Sequence, residues 1–534
     1  SLSLGSSSTF FAAQARPCID LDLWLHTELP MAPMADKKVD EVLSRAGISS
    51  DLREKQGSGG CLTVVAVAIF SSLAGLLMGL DIGYMAGVKS MESFSQDVLN
   101  GNPMTGMEDS LITMIFGAGA AVACFPPLMD FVTGRLGRKG TLIAGGSLFC
   151  LGSAVQAASC DIWTMTLGRF VAGLSVGVLS GNAPIYTSEI APAAMRGRLV
   201  SGFQFAVTVG IMVAFLLALA FEEVVEPFSG WRWLIAVQVI PGALLILGGI
   251  ILPGSPRYLV SCGKNTAAFN ALLRLRSKEQ DVRAEFAEIV LEQEDEEADG
   301  QATWKEFLSG DNAKLLGIGL VIQLLGQLSG MNAFMYDGPL IFERLFHSPH
   351  AGRLFIAIAG AVNILATIPA ILLVDRFGRT SLMKWSAVGM CICSGILATV
   401  GDICFTKEDK LVCGPWSQWT ATLAICGFIL NFAYGWGGMP WVYCAEMFPL
   451  SHRTKGVAAT TNANWIGNML IAFMTPILIE SWNFNFFWVL VATNLFGVYC
   501  AMSVPETKNK SLEEISVMFR ELFGRKQKAR GSGA

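Results

Sequence analysis

Apolar stretches of about 20 residues recur along this chain, each long enough to cross the ~30 Å hydrocarbon core of a bilayer as a helix. Six precede a polar interval, at about 61–86, 109–132, 139–158, 162–186, 199–221 and 233–253. Six follow it, at about 313–346 (a long, Gly-broken span), 353–374, 381–401, 417–445, 455–480 and 484–504. The runs are too long for membrane strands and do not alternate as those do. Of the 534 residues, 52% are hydrophobic and only 15% charged, against about 25% charged in a soluble domain. An unfolded chain is thereby excluded and a soluble enzyme disfavoured. The expected fold is an all-α membrane protein of twelve transmembrane helices in two six-helix bundles. A net charge of −5 implies no nucleic-acid partner. Four His and no paired CxxC spacing argue against a metal site, and no cofactor is implied.

Cations in short loops set the orientation. Arg135, Arg138 and Lys139 lie in the second–third loop, Arg196 and Arg198 in the fourth–fifth, Arg376 and Arg379 in the eighth–ninth, and Arg453 and Lys455 in the tenth–eleventh. The opposite loops are acidic or mixed: Glu92, Asp97, Glu108 and Asp109; Glu222, Glu223 and Glu226; Asp402 to Lys410. Both termini are therefore expected in the cytoplasm. Residues 1–60 read as a disordered or targeting tail, Ser-rich and free of acids from Ser1 to Arg16. The bundles should cover 61–255 and 313–504, with a cytoplasmic helical linker at 256–312 and a cytoplasmic tail at 505–534. The linker's acidic run, Glu292 to Glu297, cannot sit in lipid, whereas Leu272, Leu275, Phe286, Ile289 and Val290 suit short amphipathic helices.

The two halves repeat. Gly134-Arg135-Leu136-Gly137-Arg138 matches Asp375-Arg376-Phe377-Gly378-Arg379. Glu189 and Arg196 match Glu446 and Arg453 at the same seven-residue offset. Two related six-span bundles place a site near the midplane between them.

Further motifs sharpen this reading. They are Gly168-Arg169-Phe170 with Gly173; Pro184-Ile185-Tyr186-Thr187-Ser188-Glu189 through Pro192, with Arg196-Gly197; Ser255-Pro256-Arg257-Tyr258-Leu259; Gly330-Met331-Asn332; Pro440-Trp441; Glu446-Met447-Phe448-Pro449; Asn464-Trp465; and Pro505-Glu506-Thr507-Lys508. With the repeated loop motifs, in this order, they resemble the sugar porters of the major facilitator superfamily over about residues 61–516. Ser90-Met91-Glu92-Ser93-Phe94 is similar to plant and algal monosaccharide–proton symporters, although the loop between spans one and two has no Cys for a lid disulfide. Cys404 and Cys413 share an outer loop and are a candidate pair instead.

Asp81 lies inside the first span, where a carboxylate is costly unless it pairs, protonates or faces water. Arg169 in the fourth span is its candidate partner. The resemblance implies proton coupling at this pair, since proton-coupled sugar porters carry Asp at this place and many facilitators Asn. A permanent structural ion pair is the plain alternative. Amide side chains suit sugar hydroxyls because each offers donors and an acceptor, and an aromatic face packs on the ring. The resemblance implies sugar contacts at Gln204, Gln327, Asn332, Asn363, Trp441 and Asn464, with Trp436 and Trp465 as second-line candidates; helix–helix hydrogen bonding is the plain alternative. Arg135, Arg138, Glu189, Arg196, Arg257, Arg376, Arg379, Glu446 and Arg453 are expected to form cytoplasmic gating pairs between the halves, with Tyr336 and Asp337 at the outer gate.

Some positions depart from the family. Gly326 stands in place of the first of two adjacent Gln residues, and Gln323, one turn earlier, is a partial substitute. Asp337 replaces the second of paired tyrosines, Gly254 a Glu, Leu80 a Tyr and Gly134 an Asp. The expected function is secondary active transport of a monosaccharide, glucose foremost, with a proton, by a monomer in the lipid bilayer of the plasma membrane, a plastid or a vacuole. A facilitator, a polyol or inositol carrier, and a non-transporting sugar sensor are the rivals. The chain has no Walker phosphate loop and no nucleophile-elbow Ser, so an enzyme is not expected.

Overall fold

A computed structural model of the protein describes residues 36–192, 196–224, 229–278, 280–298, 304–346, 349–404, 414–448, 450–508, 510, 514–515 and 517–523. Among these there is no strand. Ahead of the bundles come α1 (Asp36–Arg45) and the single turn α2 (Ser50–Arg53). The first half holds α3 (Cys61–Ser90), α4 (Glu92–Leu99), α5 (Gly106–Ala123), α6 (Pro126–Ala157), α7 (Ile162–Ile190), α8 (Arg196–Val224), α9 (Gly230–Val237) and α10 (Val239–Ile251). The linker forms α11 (Pro256–Ser261), α12 (Asn265–Leu275), α13 (Val282–Ala298) and α14 (Trp304–Phe307). The second half holds α15 (Gly310–Leu328), α16 (Met331–Phe346), α17 (Pro349–Phe377), α18 (Arg379–Cys404), α19 (Pro415–Tyr434), α20 (Met439–Met447), α21 (Leu450–Trp482) and α22 (Phe487–Ser503). Helix ends that lie away from the linker are called outer below.

Ten described helical stretches are long and apolar enough to cross a membrane. The expected second span is α5 plus the opening turns of α6, interrupted at Cys124 and Phe125 ahead of Pro126. The third begins at Gly137, which turns the chain inside α6 with φ +69°. Gly378 does the same between α17 and α18 with φ +87°. A side chain at Gly137 would strike the Tyr258 ring at 2.5 Å, and one at Gly378 the Glu506 carboxylate at 2.6 Å. The repeated loop motif is therefore a repeated backbone turn that only glycine adopts without strain. The expected eighth span falls within α17, whose apolar described stretch is Ala357–Pro369. The expected break in the seventh span sits at Gly330, φ +102°, between α15 and α16.

Glycines also set how closely the first-half helices approach. Gly75, Gly79, Gly83 and Gly87 recur at one-turn spacing on α3 and face Phe203, Val207, Ile211, Ala214 and Ala218 of α8. A methyl at Gly79 would run into the Val207 carbonyl, and one at Gly83 would lie 2.8 Å from Ala214 Cβ. Small residues let membrane helices pack backbone to backbone where no hydrophobic driving force between them exists.

One boundary needs correction. Residues 36–60 are not a disordered tail. Val39, Val42 and Leu43 of α1, with Ile48, are buried against Phe269, Leu272, Phe286 and Val290 of the linker. Arg45 pairs with Glu294 at 2.9 Å and Arg283 with Asp40 at 2.5 Å. The Ser58 N–H donates to the Leu273 carbonyl at 2.7 Å. The linker does form the expected short helices; α1 covers their apolar face, and burial of that face stabilises both. Arg276, almost fully buried, ties this layer to the first half by donating to the Ile190 carbonyl at 2.8 Å while pairing with Glu285 at 2.6 Å. Residues 1–35 and most of the C-terminal tail after Phe523 lie outside the described residues.

Candidate functional site

The apolar run around Asp81 makes α3 a membrane helix, and the carboxyl is thereby buried on the inner face of the first half, 1% exposed. Arg169 of α7 is wholly buried beside it. Its Nη1 donates to Asp81 Oδ2 at 3.1 Å and to the Tyr84 hydroxyl at 3.0 Å, and its Nε donates to the Ile112 carbonyl at 2.9 Å. The Tyr84 hydroxyl donates in turn to Gln156 Oε1. Asp81 Oδ1 and Arg169 Nη2 find no hydrogen-bond partner among the described residues. The pair predicted from sequence is thus in contact and incompletely satisfied, a costly condition in a low-dielectric interior.

The second half presents amides. Asn332 Nδ2 donates to Gln327 Oε1 at 2.5 Å, Gln327 Nε2 to Asn464 Oδ1 at 2.9 Å, and Asn464 Nδ2 to Gln323 Oε1 at 2.8 Å. These four residues, from α15, α16 and α21, form one continuous row. Gly326 sits beside it, and the space a Cβ would enter there meets only ordinary contacts, with Pro440 Cγ at 3.8 Å and Asn464 Nδ2 at 4.0 Å.

The remaining sugar candidates divide. Gln204 is half-buried on α8 and Trp441 half-buried on α20, and neither belongs to the row; Asn363 is buried on α17 and its carbonyl accepts from Thr367. Trp436 is committed elsewhere: its indole N–H donates to the Met383 carbonyl at 2.9 Å and its ring packs on Gly497. Those contacts place it between α18 and α22. Trp465 lies on the seam between the halves, donating to Ser180 Oγ at 3.0 Å and meeting Phe116 edge-on at 5.8 Å. Phe116 also lies 5.0 Å from the Arg169 guanidinium. A chain of contacts therefore runs from Asp81 through Arg169, Phe116 and Trp465 to its neighbour Asn464.

Among the described residues, two charge pairs at the linker side lie within a half. Arg138 meets Glu189 at 3.0 Å, and Glu189 also accepts from the Ser255 hydroxyl. Arg379 meets Glu446 at 2.9 Å, and Glu446 accepts from Thr507 at 2.7 Å. The reason is the repeat itself. Each Arg follows the glycine turn that starts one span, and each Glu lies near the end of the next span. Arg257 pairs with Glu292 of the linker at 2.8 Å, and Arg135 lies over the Phe131 ring at 4.4 Å. Arg376 is exposed and Arg453 half-buried; the side chain of Arg196 lies outside the described residues. Asp130 of α6 feels the charge of Lys455 from the opposite half as well as that of Arg138. Burial alone would push the Glu506 carboxyl up, but the Thr380 hydroxyl and the backbone N–H groups of Arg379, Lys508 and Thr380 hold it below the usual range. Glu506 thereby caps the start of α18.

Of the two residues expected at the outer gate, Tyr336 accepts at its hydroxyl from Asn468 at 3.4 Å. Asp337 pairs with Lys89 of α3 at 2.8 Å. Lys89 was not singled out from sequence, since a cation in the last turn of a span reads as a loop charge. Cys404 is disulfide-bonded, and Cys413, its expected partner, lies outside the described residues.

A family model described as "Sugar (and other) transporter" matches residues 67–519. The galactose-proton symporter of Escherichia coli K12 is 36% identical over 465 residues, which span 86% of this chain and 96% of the relative. Sugar transport protein MST3 of rice is 29% identical, over 86% of this chain and 91% of its own. Among solved structures, the proton:xylose symporter XylE bound to 6-bromo-6-deoxy-D-glucose superposes with a TM-score of 0.72 at 25% identity, covering 85% of this chain and 99% of that one. The two-bundle helical fold, the repeated turns and these likenesses agree: the chain belongs to the sugar transporter family of the major facilitator superfamily, a family of membrane carriers and not of enzymes.

Proposed function

We propose that the protein carries a monosaccharide, a glucose-type hexose, together with a proton across a membrane by alternating access. The observation that carries this reading is the contact chain from the buried Asp81–Arg169 pair to the amide row at the seam between the halves. Asp81 Oδ1 is free to receive a proton, and protonation releases Asp81 from its charge attraction to Arg169. A shift of Arg169 passes through Phe116 and Trp465 to the α21 residues that bind sugar. The row exchanges its internal amide bonds for sugar hydroxyls, so little is lost on binding. The names of the relatives, a galactose-proton symporter and a proton:xylose symporter, support both cargo classes. The paired cytoplasmic charges Arg138–Glu189 and Arg379–Glu446 keep each half rigid while the halves rock. The protein works as a monomer, with both termini in the cytoplasm and the plasma membrane as its site.

Labelled D-glucose uptake in transporter-deficient cells, with and without a protonophore, tests this. Accumulation above equilibrium that the protonophore abolishes is the expected result. Saturable uptake that merely equilibrates in both conditions makes the protein a facilitator with a permanent Asp81–Arg169 pair. Uptake of xylose or galactose but not glucose keeps symport and moves the cargo.

A further inference from the structure

The outer ends of α3, α5 and α16 hold a charge cluster that the coupling pair and the sugar row do not use. Lys89 Nζ lies 2.7 Å from Asp109 Oδ1 and 2.8 Å from Asp337 Oδ1. All three side chains are largely buried, Asp337 at 1% exposure. Lys89 and Asp109 belong to the first half and Asp337 to the second, so one contact stays within a half and the other crosses the seam.

We propose that Lys89, Asp109 and Asp337 form the outer latch of the carrier: Lys89 stays with Asp109 throughout the transport cycle and takes and releases Asp337 as the outer side closes and opens. The inference rests on the transport reading above and adds the residues that hold the outer gate.

The asymmetry of the cluster supports this over a permanent structural pair. Asp109 is well satisfied, accepting from Thr113 Oγ1 at 3.1 Å as well as from Lys89. With Asp109 alone, Lys89 already has a neutralising partner inside its own half. Asp337 adds a second carboxylate to one ammonium, leaves the cluster with one surplus negative charge, and has an Oδ2 with no hydrogen-bond partner among the described residues. A permanent contact of this kind is poorly satisfied, whereas an opening vestibule hydrates the lone carboxylate at once. Opening leaves the first half with an intact, neutral Lys89–Asp109 pair, ready to recapture Asp337. Neighbouring seam contacts release with it: Ser110 Oγ donates across to the Phe473 carbonyl at 2.9 Å, and Gly106 packs against Glu480 of α21.

The test uses the full-length protein in cells, with an S110C reporter at this fully buried seam position and an impermeant maleimide outside. The same chain without the reporter supplies the background from native thiols. Asp337→Asn should raise the labelling rate of the introduced thiol about tenfold, by removing the crossing ion pair. Lys89→Met should raise it further, because two carboxylates then face each other unpaired. Adding Asp109→Asn and Asp337→Asn to Lys89→Met should return it towards the parent rate, since three neutral side chains close without a charge penalty. In D-glucose uptake, Asp337→Asn should lower the outer KM and kcat together, as an outward-biased carrier does. Labelling rates within twofold of the parent in every variant overturn the latch. Labelling that shifts as expected in a protein that moves no sugar leaves the latch standing and overturns the transport reading; transport with unmoved labelling does the reverse.

Discussion

The two halves share one helical plan and put different chemistry into it. At the linker-side ends they are near copies: Arg138–Glu189 at 3.0 Å and Arg379–Glu446 at 2.9 Å, each behind a glycine with positive φ. Deep in the bundles they diverge. The first half buries a full ion pair, Asp81–Arg169, and the second a neutral row, Asn332–Gln327–Asn464–Gln323. On the proposed reading, the repeated part holds each half rigid. The divergent part then gives the proton to one half and the sugar to the other, so that the two cargoes meet only at the seam. Charge and amide are suited to those tasks: a carboxylate changes its charge with one proton, whereas an amide row recognises hydroxyls without any change of charge.

The comparison can be broken most strongly at Asp81. Asp81→Asn should abolish accumulation of labelled D-glucose altogether, leaving uptake that only equilibrates and no longer responds to a protonophore. Counterflow of preloaded sugar should survive, since the amide row is intact. Loss of counterflow as well would mean that charge and sugar are not divided between the halves.

The next effect belongs to the second half. Asn464→Leu removes a donor to Gln323 and an acceptor for Gln327, and leaves both amides short of a partner. About 1.5–3 kcal/mol of lost recognition raises KM roughly 10- to 100-fold. The pH dependence of uptake should stay that of the parent, which uptake curves at several external pH values will show.

Glu189→Gln and Glu446→Gln sharpen the symmetric part. Each ion pair is partly exposed, with side chains 12–24% accessible, so each loss should slow transport by only a few-fold. The two variants should be alike in uptake rate. A tenfold difference between them would show that the cytoplasmic ends are not equivalent after all.

Smallest is Gly326→Ala. The position lies inside α15 with room for a methyl, so helix propensity alone favours Ala by up to about 1 kcal/mol. Thermal unfolding in detergent should shift slightly upward. Competition between glucose and larger 6-substituted sugars then reports whether the open space beside Asn464 selects cargo.

Much of this was readable in the sequence, for physical reasons. A carboxylate and a guanidinium inside apolar runs have few ways to exist, so Asp81 and Arg169 named each other. Glycines that break a span, such as Gly330, or repeat in a loop motif, such as Gly137 and Gly378, carry their conformational role in the residue type. The amides were legible only through resemblance, because nothing in an Asn or Gln on a membrane helix says whether it meets sugar or a neighbouring helix. Trp436 shows the limit: it is a second-line sugar candidate by resemblance, and nothing in the residue type foretells that its N–H donates to the Met383 carbonyl. Pairings across long separations were invisible. Lys89 and Asp337 stand 248 residues apart; Asp337 stood out as a departure from the family, but Lys89 alone reads as an ordinary interface charge. At the linker side, the repeat fixes the positions of Arg138, Glu189, Arg379 and Glu446 in each half but not which half a charge turns towards.

The docking of α1 on the linker bears on how the chain is made. The partner face on α13 is translated some 240 residues after α1, once the whole first half has left the ribosome. At 5–20 residues per second that is a delay of about 10–50 s. Throughout it, Val39, Val42 and Leu43 lack the part of their cover that α13 supplies. The nascent protein thus passes through a stage in which six spans have been made while a short apolar-faced helix still waits for its α13 partner. Chaperone capture of α1, and its release on synthesis of α13, should mark the moment at which the first half is committed.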